Sequence, residues 1–233
     1  MPGDEAEDLD GLIRRVDPDR WLTSRFIADP AARADVMALY AFDHELARAR
    51  AVASNPLMAE IRLTWWREAL DEIFAAGPPR RHPVAQSLAS AVQRHGLPRE
   101  PLESMVDGQI QALDMPAFDA TAAGRWAEAV ESSVARLAAM ILDPAARAGA
   151  AAPAGHAWGL ALLKRGRLAA PETIAPLLGH VLAEARPAAL TLGVAALPAA
   201  LPARLARFDL AGRTPGPLRK QASLIVAVAT GRI

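Results

Sequence analysis

The stretch LYAFDHELARARAVASNPLMAEIRLTWWREALDEIF, from Leu39 to Phe74, decides the fold. It predicts two helices and one connector, because Asn55 can cap a helix that begins with Pro56 at its first position. We predict the first helix over 30–53 and the second over 56–75, from the helical spacing of their apolar residues. On the second helix, the side chains predicted to face the core are Leu57, Ile61, Trp65 and Leu70.

The same signals predict helices along the rest of the chain. Pro18, Pro30 and Pro144 each follow an aspartate that can cap a helix. Connections are short, and no strand-like alternation of any length occurs. We therefore predict an all-α fold in a single domain over 1–233, with 1–16 as an acidic N-terminal segment that can be mobile. The remaining helices are predicted over 18–27, 83–95, 99–114, 121–142, 153–164, 173–185, 187–197 and 217–230.

Composition limits the class of protein. Apolar residues make up 52% of the chain and charged residues 22%, which is typical of a globular protein, and cysteine is absent. The first ten residues, MPGDEAEDLD, are acidic, so they do not resemble a secretory signal. Prolines interrupt the longest uncharged run. We expect a cytoplasmic protein, with peripheral contact to a membrane left open.

The charges are unevenly distributed, although the net charge is zero. Residues 1–132 contain 22 acidic and 14 basic residues, whereas 133–233 contain 4 acidic and 12 basic residues. A basic half of this kind can meet phosphate, anionic lipid or the acidic half of the same chain. Aromatic residues are not interleaved with the basic ones, so no nucleic-acid partner is predicted.

Several phrases resemble the squalene/phytoene synthase family, in the order in which the family has them. They are LYAFDHELARAR, TWWREALDEIF, the block from His82 to Met115 and the closing RKQASLIVAVATGRI. The resemblance implies an isoprenoid-synthase-like helical bundle around a central apolar cavity. It also implies that active members join two prenyl diphosphates head to head, using Mg²⁺ held by two aspartate-rich motifs. Mg²⁺ requires hard oxygen ligands, usually carboxylates.

The first of these motifs is degraded in this chain. The family places paired aspartates a few positions after the phrase that begins at Tyr40, where this chain has Ala47 and Arg48. The carboxylates that remain nearby are Asp43 and Glu45. Their spacing of two points them to different sides of a helix.

The second motif is degraded further. The family's acidic residues precede a Gly-Arg phrase, which this chain retains as Gly166-Arg167. Here Lys164 and Arg165 stand before the phrase, and no carboxylate occurs between Asp143 and Glu172. This segment cannot supply a magnesium site.

The resemblance is closest to a degenerate branch of the family, similar to the mitochondrial complex I assembly factor of squalene/phytoene synthase type. The shared phrase is AFDHELA, from Ala41 to Ala47. It implies a non-catalytic role in assembly with a respiratory protein partner, room for a lipid or isoprenoid ligand and no cofactor. Two alternatives remain open: an Mg²⁺-dependent head-to-head prenyl transferase, and a carrier of an apolar ligand.

The candidate site residues fall into two sets, and no catalytic residue is assigned. The family resemblance gives the candidates for binding a ligand or diphosphate, which are Tyr40, Asp43, Glu45, Trp65, Lys164, Arg165 and Arg167. A second set shares one face of the predicted helix 99–114 and can bind a cation or pair with arginines of the basic half, residues 133–233. Its members are Glu103, Asp107, Gln111 and Asp114.

Overall fold

The computed structural model describes residues 8–51, 55–75 and 77–233, and these residues form helices and no β-strand. The predicted all-α fold is therefore confirmed. A π-helical segment, Glu128–Ser132, lies between α7 and α8, and 3-10 turns precede α9 and α11. The α-helices are α1 Leu9–Val16, α2 Pro18–Ser24, α3 Pro30–Ala51, α4 Pro56–Phe74, α5 Pro83–His95, α6 Arg99–Gln111, α7 Ala120–Ala127, α8 Ser133–Leu142, α9 Ala152–Arg165, α10 Pro171–Ala189, α11 Leu201–Leu210 and α12 Pro217–Thr230.

Capped prolines begin α2, α3 and α4, as predicted. Asp17 and Asn55 each accept a hydrogen bond from the backbone N–H three residues further on, at 3.0 and 2.9 Å. These bonds satisfy amide groups that have no partner within the helix. The prediction at Asp143 is wrong. Its side chain accepts a bond from the backbone N–H of Ala145 at 3.0 Å, but the chain turns there instead of entering an α-helix.

Three helical segments differ from the prediction. The acidic segment set apart at the N-terminus contains α1, which buries Leu12 and Ile13 against the bundle. The break expected near residue 186 is absent, because α10 continues through Pro187 and ends at Ala189. The separate helix predicted over 187–197 is therefore wrong, since turns follow Ala189 up to the 3-10 turn Leu197–Ala200. Pro187 lies on the exposed side of the last turn, where water can satisfy the carbonyl that loses its helical bond. The third segment is α11, which the sequence pattern does not indicate.

The buried face predicted for α4 is confirmed only at Leu70, which is buried. Trp66 and Leu63 are buried, whereas Leu57 and Ile61 are exposed. Trp65 is partly buried at the edge between the two faces. Leu57 and Ile61, which were predicted to face the core, therefore lie on the exposed surface of the molecule.

The middle of the bundle is formed by α9, which packs against α7, α10, α11 and the π-helical segment. Two glycines allow the close approach. A Cβ atom at Gly155 would lie 2.2 Å from the carbonyl oxygen of Glu131, and one at Gly159 would lie 2.8 Å from the Cβ of Ala127. Larger side chains at these positions would force the helices apart, so the glycines set the distance between α9 and the π-helical segment.

In the part of the chain that the structure describes, there is no evidence for the central apolar cavity that the resemblance implies. Charged side chains are buried between α2, α3 and the π-helical segment instead. Around them, buried apolar side chains form one connected core that includes residues of α1 and of α12. Within the described ranges, no helix is both long enough and apolar enough to span a bilayer.

Candidate functional site

Arg20 is the centre of a buried group of charges, and its side chain is only 2% exposed. It projects from the first turn of α2, whose cap Asp17 lies 3.4 Å from the guanidinium. A guanidinium stays charged in proteins, so its burial requires carboxylate partners. The positive charge is therefore fixed in position by the start of α2.

Helix α3 provides the first pair of partners. The Oδ2 atom of Asp43 accepts a hydrogen bond of 2.8 Å from Arg20. Tyr40, one turn earlier on the same face, places its ring 5.0 Å from the guanidinium carbon. Burial raises the pKa of Tyr40, so its hydroxyl stays protonated. The structure thus brings together two predicted site residues, Tyr40 and Asp43.

The π-helical segment provides the second carboxylate. Glu131 accepts a hydrogen bond from Arg20 and is buried. The segment is held against α9 by Gly155 and by Ser132, whose hydroxyl donates to the carbonyl of Ala152 at 3.0 Å. A π-helical turn changes the direction in which its side chains point, and such turns are frequent at functional sites.

The group contains more negative than positive charge. Burial raises the pKa of Glu131 to about 8, and the charges of Asp43 and Asp17 act in the same direction, against the attraction of Arg20. Burial also raises the pKa of Asp17. A protonated Glu131 at neutral pH lowers the excess of negative charge around Arg20. We refer to Arg20, Asp17, Tyr40, Asp43 and Glu131 as the Arg20 cluster.

Sequence reasoning missed Arg20 and Glu131. They are separated by 111 positions, so no local motif contains both. The sequence contains one signal for Glu131. This carboxylate shares a helical face with Ala127 and Val134, which are both apolar and buried, and a buried carboxylate requires a partner.

The α3 positions of the degraded metal motif face away from this cluster. Ala47 is exposed, and Arg48 pairs with Glu45 at 3.1 Å along the same helix. No three histidine or carboxylate side chains in the described part of the chain come close enough to hold a metal ion. The residues present therefore do not fit the magnesium site that the resemblance implies.

The basic candidates at the end of α9 bind other parts of the protein. Lys164 donates to the backbone carbonyl of Asp209, and Arg165 pairs with the Asp209 side chain at 2.6 Å. A further bond of 2.9 Å joins Arg165 to Asp19 of α2. Arg167 is exposed, and its φ of 56° places it in the left-handed region after the helix. Lys164 and Arg165 therefore connect α9 to α11, and Arg165 also connects α9 to α2.

The acidic row on α6 is paired with arginines. Glu103 accepts a bond of 2.8 Å from Arg99, and Asp107 pairs with Arg67 of α4. Gln111 and Asp114 are exposed further along the row. Ion pairing was predicted here with arginines of the basic half, whereas Arg67 and Arg99 both belong to residues 1–132. Cation binding at this row stays a prediction.

A surface cavity of about 400 Å³ lies between α3 and α4. Its walls include Glu45, Trp65, Trp66 and Ile61. The two indole rings meet edge to face with centroids 4.9 Å apart. Two further predicted ligand residues, Glu45 and Trp65, therefore share this cavity, which is separate from the Arg20 cluster.

Comparisons with known proteins give the family and the fold. The sequence model of squalene/phytoene synthase matches residues 13–166. The human and bovine proteins named NADH dehydrogenase (ubiquinone) complex I, assembly factor 6 are 33% and 32% identical over 133 residues, which is 56% of this chain and 39% of each relative. The chain thus spans well under half the length of these relatives.

Two solved structures have the same fold. A dehydrosqualene synthase in complex with ligand superposes with a TM-score of 0.71 at 16% identity, over 95% of this chain and 94% of the other. The squalene synthase HpnC from Alicyclobacillus acidocaldarius has a TM-score of 0.67 at 15% identity, over 97% and 94%. The fold and the sequence match together place this chain in the squalene/phytoene synthase family.

Proposed function

We propose that this protein is a non-catalytic family member that acts from the cytoplasm in the assembly of respiratory complex I, through a protein partner. The observation that carries the proposal is the loss of metal-binding carboxylates, since Ala47 and Arg48 occupy the α3 motif and basic side chains end α9. The naming of relatives as assembly factors supports the assembly role. No metal cofactor is part of the proposal, and Mg²⁺ belongs only to the transferase alternative.

The surface that we assign to the partner lies on α4. Leu57, Met58 and Ile61 are exposed there, next to the cavity that Trp65 lines. Neighbouring exposed apolar side chains are uncommon on a protein that acts alone, and they are typical of interaction sites. Tryptophan at the edge of such a surface is typical of residues that dominate binding energy.

A deletion in the native host tests the assembly role. We expect the strain to lose assembled complex I on native gels and to lose NADH oxidation by its membranes, while other respiratory complexes remain. Normal complex I in the deletion strain would overturn the proposal. The wild-type gene should restore assembly, whereas Ile61→Glu should not. Thr121→Glu is the matched control, because it adds the same charge at an exposed position on α7.

An enzyme assay separates this proposal from the transferase. The purified protein is incubated with Mg²⁺ and labelled farnesyl diphosphate, and the products are extracted and separated. We expect no head-to-head product, because the carboxylates required to hold the metal are missing from α3 and α9. Formation of such a product would replace the non-catalytic proposal with the transferase.

A second candidate function is binding of an apolar lipid or isoprenoid, and the α3–α4 cavity favours it. Its volume of about 400 Å³ lies in the range of small-molecule sites. Native mass spectrometry of protein purified from its host should then show a bound apolar molecule. Trp65→Ala should reduce the bound fraction, because Trp65 forms part of the wall. Protein without any added mass would count against ligand binding.

A further inference from the structure

The C-terminal helix α12 exposes a stripe of apolar side chains. Its buried side, which includes Leu224 and Ala227, packs against α11. The opposite side has apolar residues at helical spacing, and the sequence after Asp209 contains no acidic residue. Leu218 is 82% exposed and Ile225 is 52% exposed. The members of this α12 stripe are Leu218, Ala222, Ile225, Val226 and Ala229.

Three arginines of α10 and α11 lie near one another, and one of them contacts α12. Arg204 of α11 donates from Nε to the hydroxyl of Ser223 on α12 at 2.8 Å. Burial lowers the pKa of Arg204 and of Arg207, and the positive charge of Arg186 on neighbouring α10 lowers both further. In the described part of the chain, none of the three forms an ion pair with a carboxylate. We call Arg186, Arg204 and Arg207 the arginine cluster.

The carboxylates of α10 and α11 do not form ion pairs with the arginine cluster. Asp209 of α11 pairs with Arg165 at 2.6 Å, and Glu184 of α10 lies 3.2 Å from His180. The like charges of the arginine cluster repel one another, and in the described part of the chain no carboxylate is in ion-pair contact with them. Binding of an external anion would reduce this repulsion.

We propose that the α12 stripe and the arginine cluster together dock on the surface of an anionic lipid bilayer. The stripe enters the boundary between headgroups and acyl chains, and the arginines contact lipid phosphates. The sequence after Asp209 contains four basic residues, Arg213, Arg219, Lys220 and Arg232, and no acidic residue. An apolar helix face within a basic segment matches a negatively charged bilayer surface in both hydrophobicity and charge. This proposal does not depend on the assembly role.

Vesicle flotation with the full chain tests the proposal. One set of vesicles contains phosphatidylcholine alone, and the other contains phosphatidylcholine and phosphatidylglycerol in equal amounts. We expect at least tenfold stronger partitioning onto the anionic vesicles. Partitioning should weaken between about 0.1 M and about 1 M salt, because the Debye length falls from about 10 Å to about 3 Å. Equal partitioning onto both vesicle types, or onto neither, would overturn the proposal.

A matched pair of glutamate substitutions locates the surface. Ile225 on α12 is 52% exposed and Thr121 on α7 is also exposed, so glutamate should be tolerated at both positions. Ile225→Glu should reduce partitioning at least tenfold, whereas Thr121→Glu should leave it unchanged. Equal effects would rule out α12 as the docking surface. A protein that dimerises through Ile225 and does not float with vesicles would show that a second copy covers the stripe.

Discussion

Replacing Arg20 with methionine tests whether the Arg20 cluster holds the bundle together. Methionine keeps much of the length of the side chain, so the packing volume changes little. It removes the bond to Asp43 at 2.8 Å, the bond to Glu131 and the contact with the Tyr40 ring. The carboxyl groups of α3 and the π-helical segment then remain buried without a cation.

The expected loss of unfolding free energy is about 3–5 kcal/mol, which is typical of removing one partner of a buried ion pair. At neutral pH most of this comes from Asp43 and from the lost ring contact, because the pKa of Glu131 is about 8 and this side chain is largely neutral. As pH rises towards 8, Glu131 of the wild type ionises and is attracted by Arg20, whereas in the variant this attraction is absent and the pKa of Glu131 is raised further. The loss should therefore be larger at pH 8 than at pH 5.

Urea unfolding followed by circular dichroism at both pH values measures the effect. The control is Arg48→Met, which removes an exposed i,i+3 pair with Glu45 on α3 and should leave the unfolding midpoint almost unchanged. A loss below about 1 kcal/mol for Arg20→Met would place it in the range of exposed pairs and refute the reasoning. A loss that does not depend on pH would show that Arg20 does not favour the ionised form of Glu131.

Two further predictions concern Gly155 of α9 and Glu131 of the π-helical segment, which lie next to each other. Gly155→Ala should cost about 1–3 kcal/mol in urea unfolding, because its Cβ would lie 2.2 Å from the carbonyl oxygen of Glu131. Gly149→Ala, which meets nothing within 4 Å, is the control, and equal costs would contradict the close approach. Because the pKa of Glu131 rises from 4.5 to about 8 on folding, its stabilising contribution is complete below 4.5 and is lost as pH rises to 8. Glu131→Gln should therefore gain stability relative to wild type across that window, by at most about 1.4 kcal/mol per pH unit, and parallel pH profiles would contradict this.

Much of the fold could be predicted because its signals are local. The predicted bounds of α5 and α12 agree with the structure, since a histidine–proline or glycine–proline pair begins each helix and a glycine follows it. The two segments that were not predicted, α1 and α11, are only 8 and 10 residues long. Short helices depend on tertiary packing more than on their own propensity, so their sequence pattern is weak.

The site could be predicted only in part, because its contacts are long-range. Tyr40 and Asp43 were identified by family likeness, but their partner Arg20 is 23 positions from Asp43, on another helix. The π-helical turn that directs Glu131 inward has no sequence signature comparable to an N-cap. The exposed apolar face of α4 was assigned to the core for a related reason, because apolar spacing identifies a stripe without showing what covers it.

The Arg20 cluster also bears on the proposal that this protein is non-catalytic. A site that binds diphosphate through metal ions needs carboxylates that face an open space and ligands that can exchange. Here Asp43 and Glu131 turn inward onto a guanidinium that is covalently part of α2 and cannot dissociate. An internal cation of this kind links three helices permanently and leaves the two carboxylates unavailable to a metal. The unfolding free energy lost on substitution of Arg20 therefore measures how much these inward-facing carboxylates and their internal cation contribute to the stability of the fold.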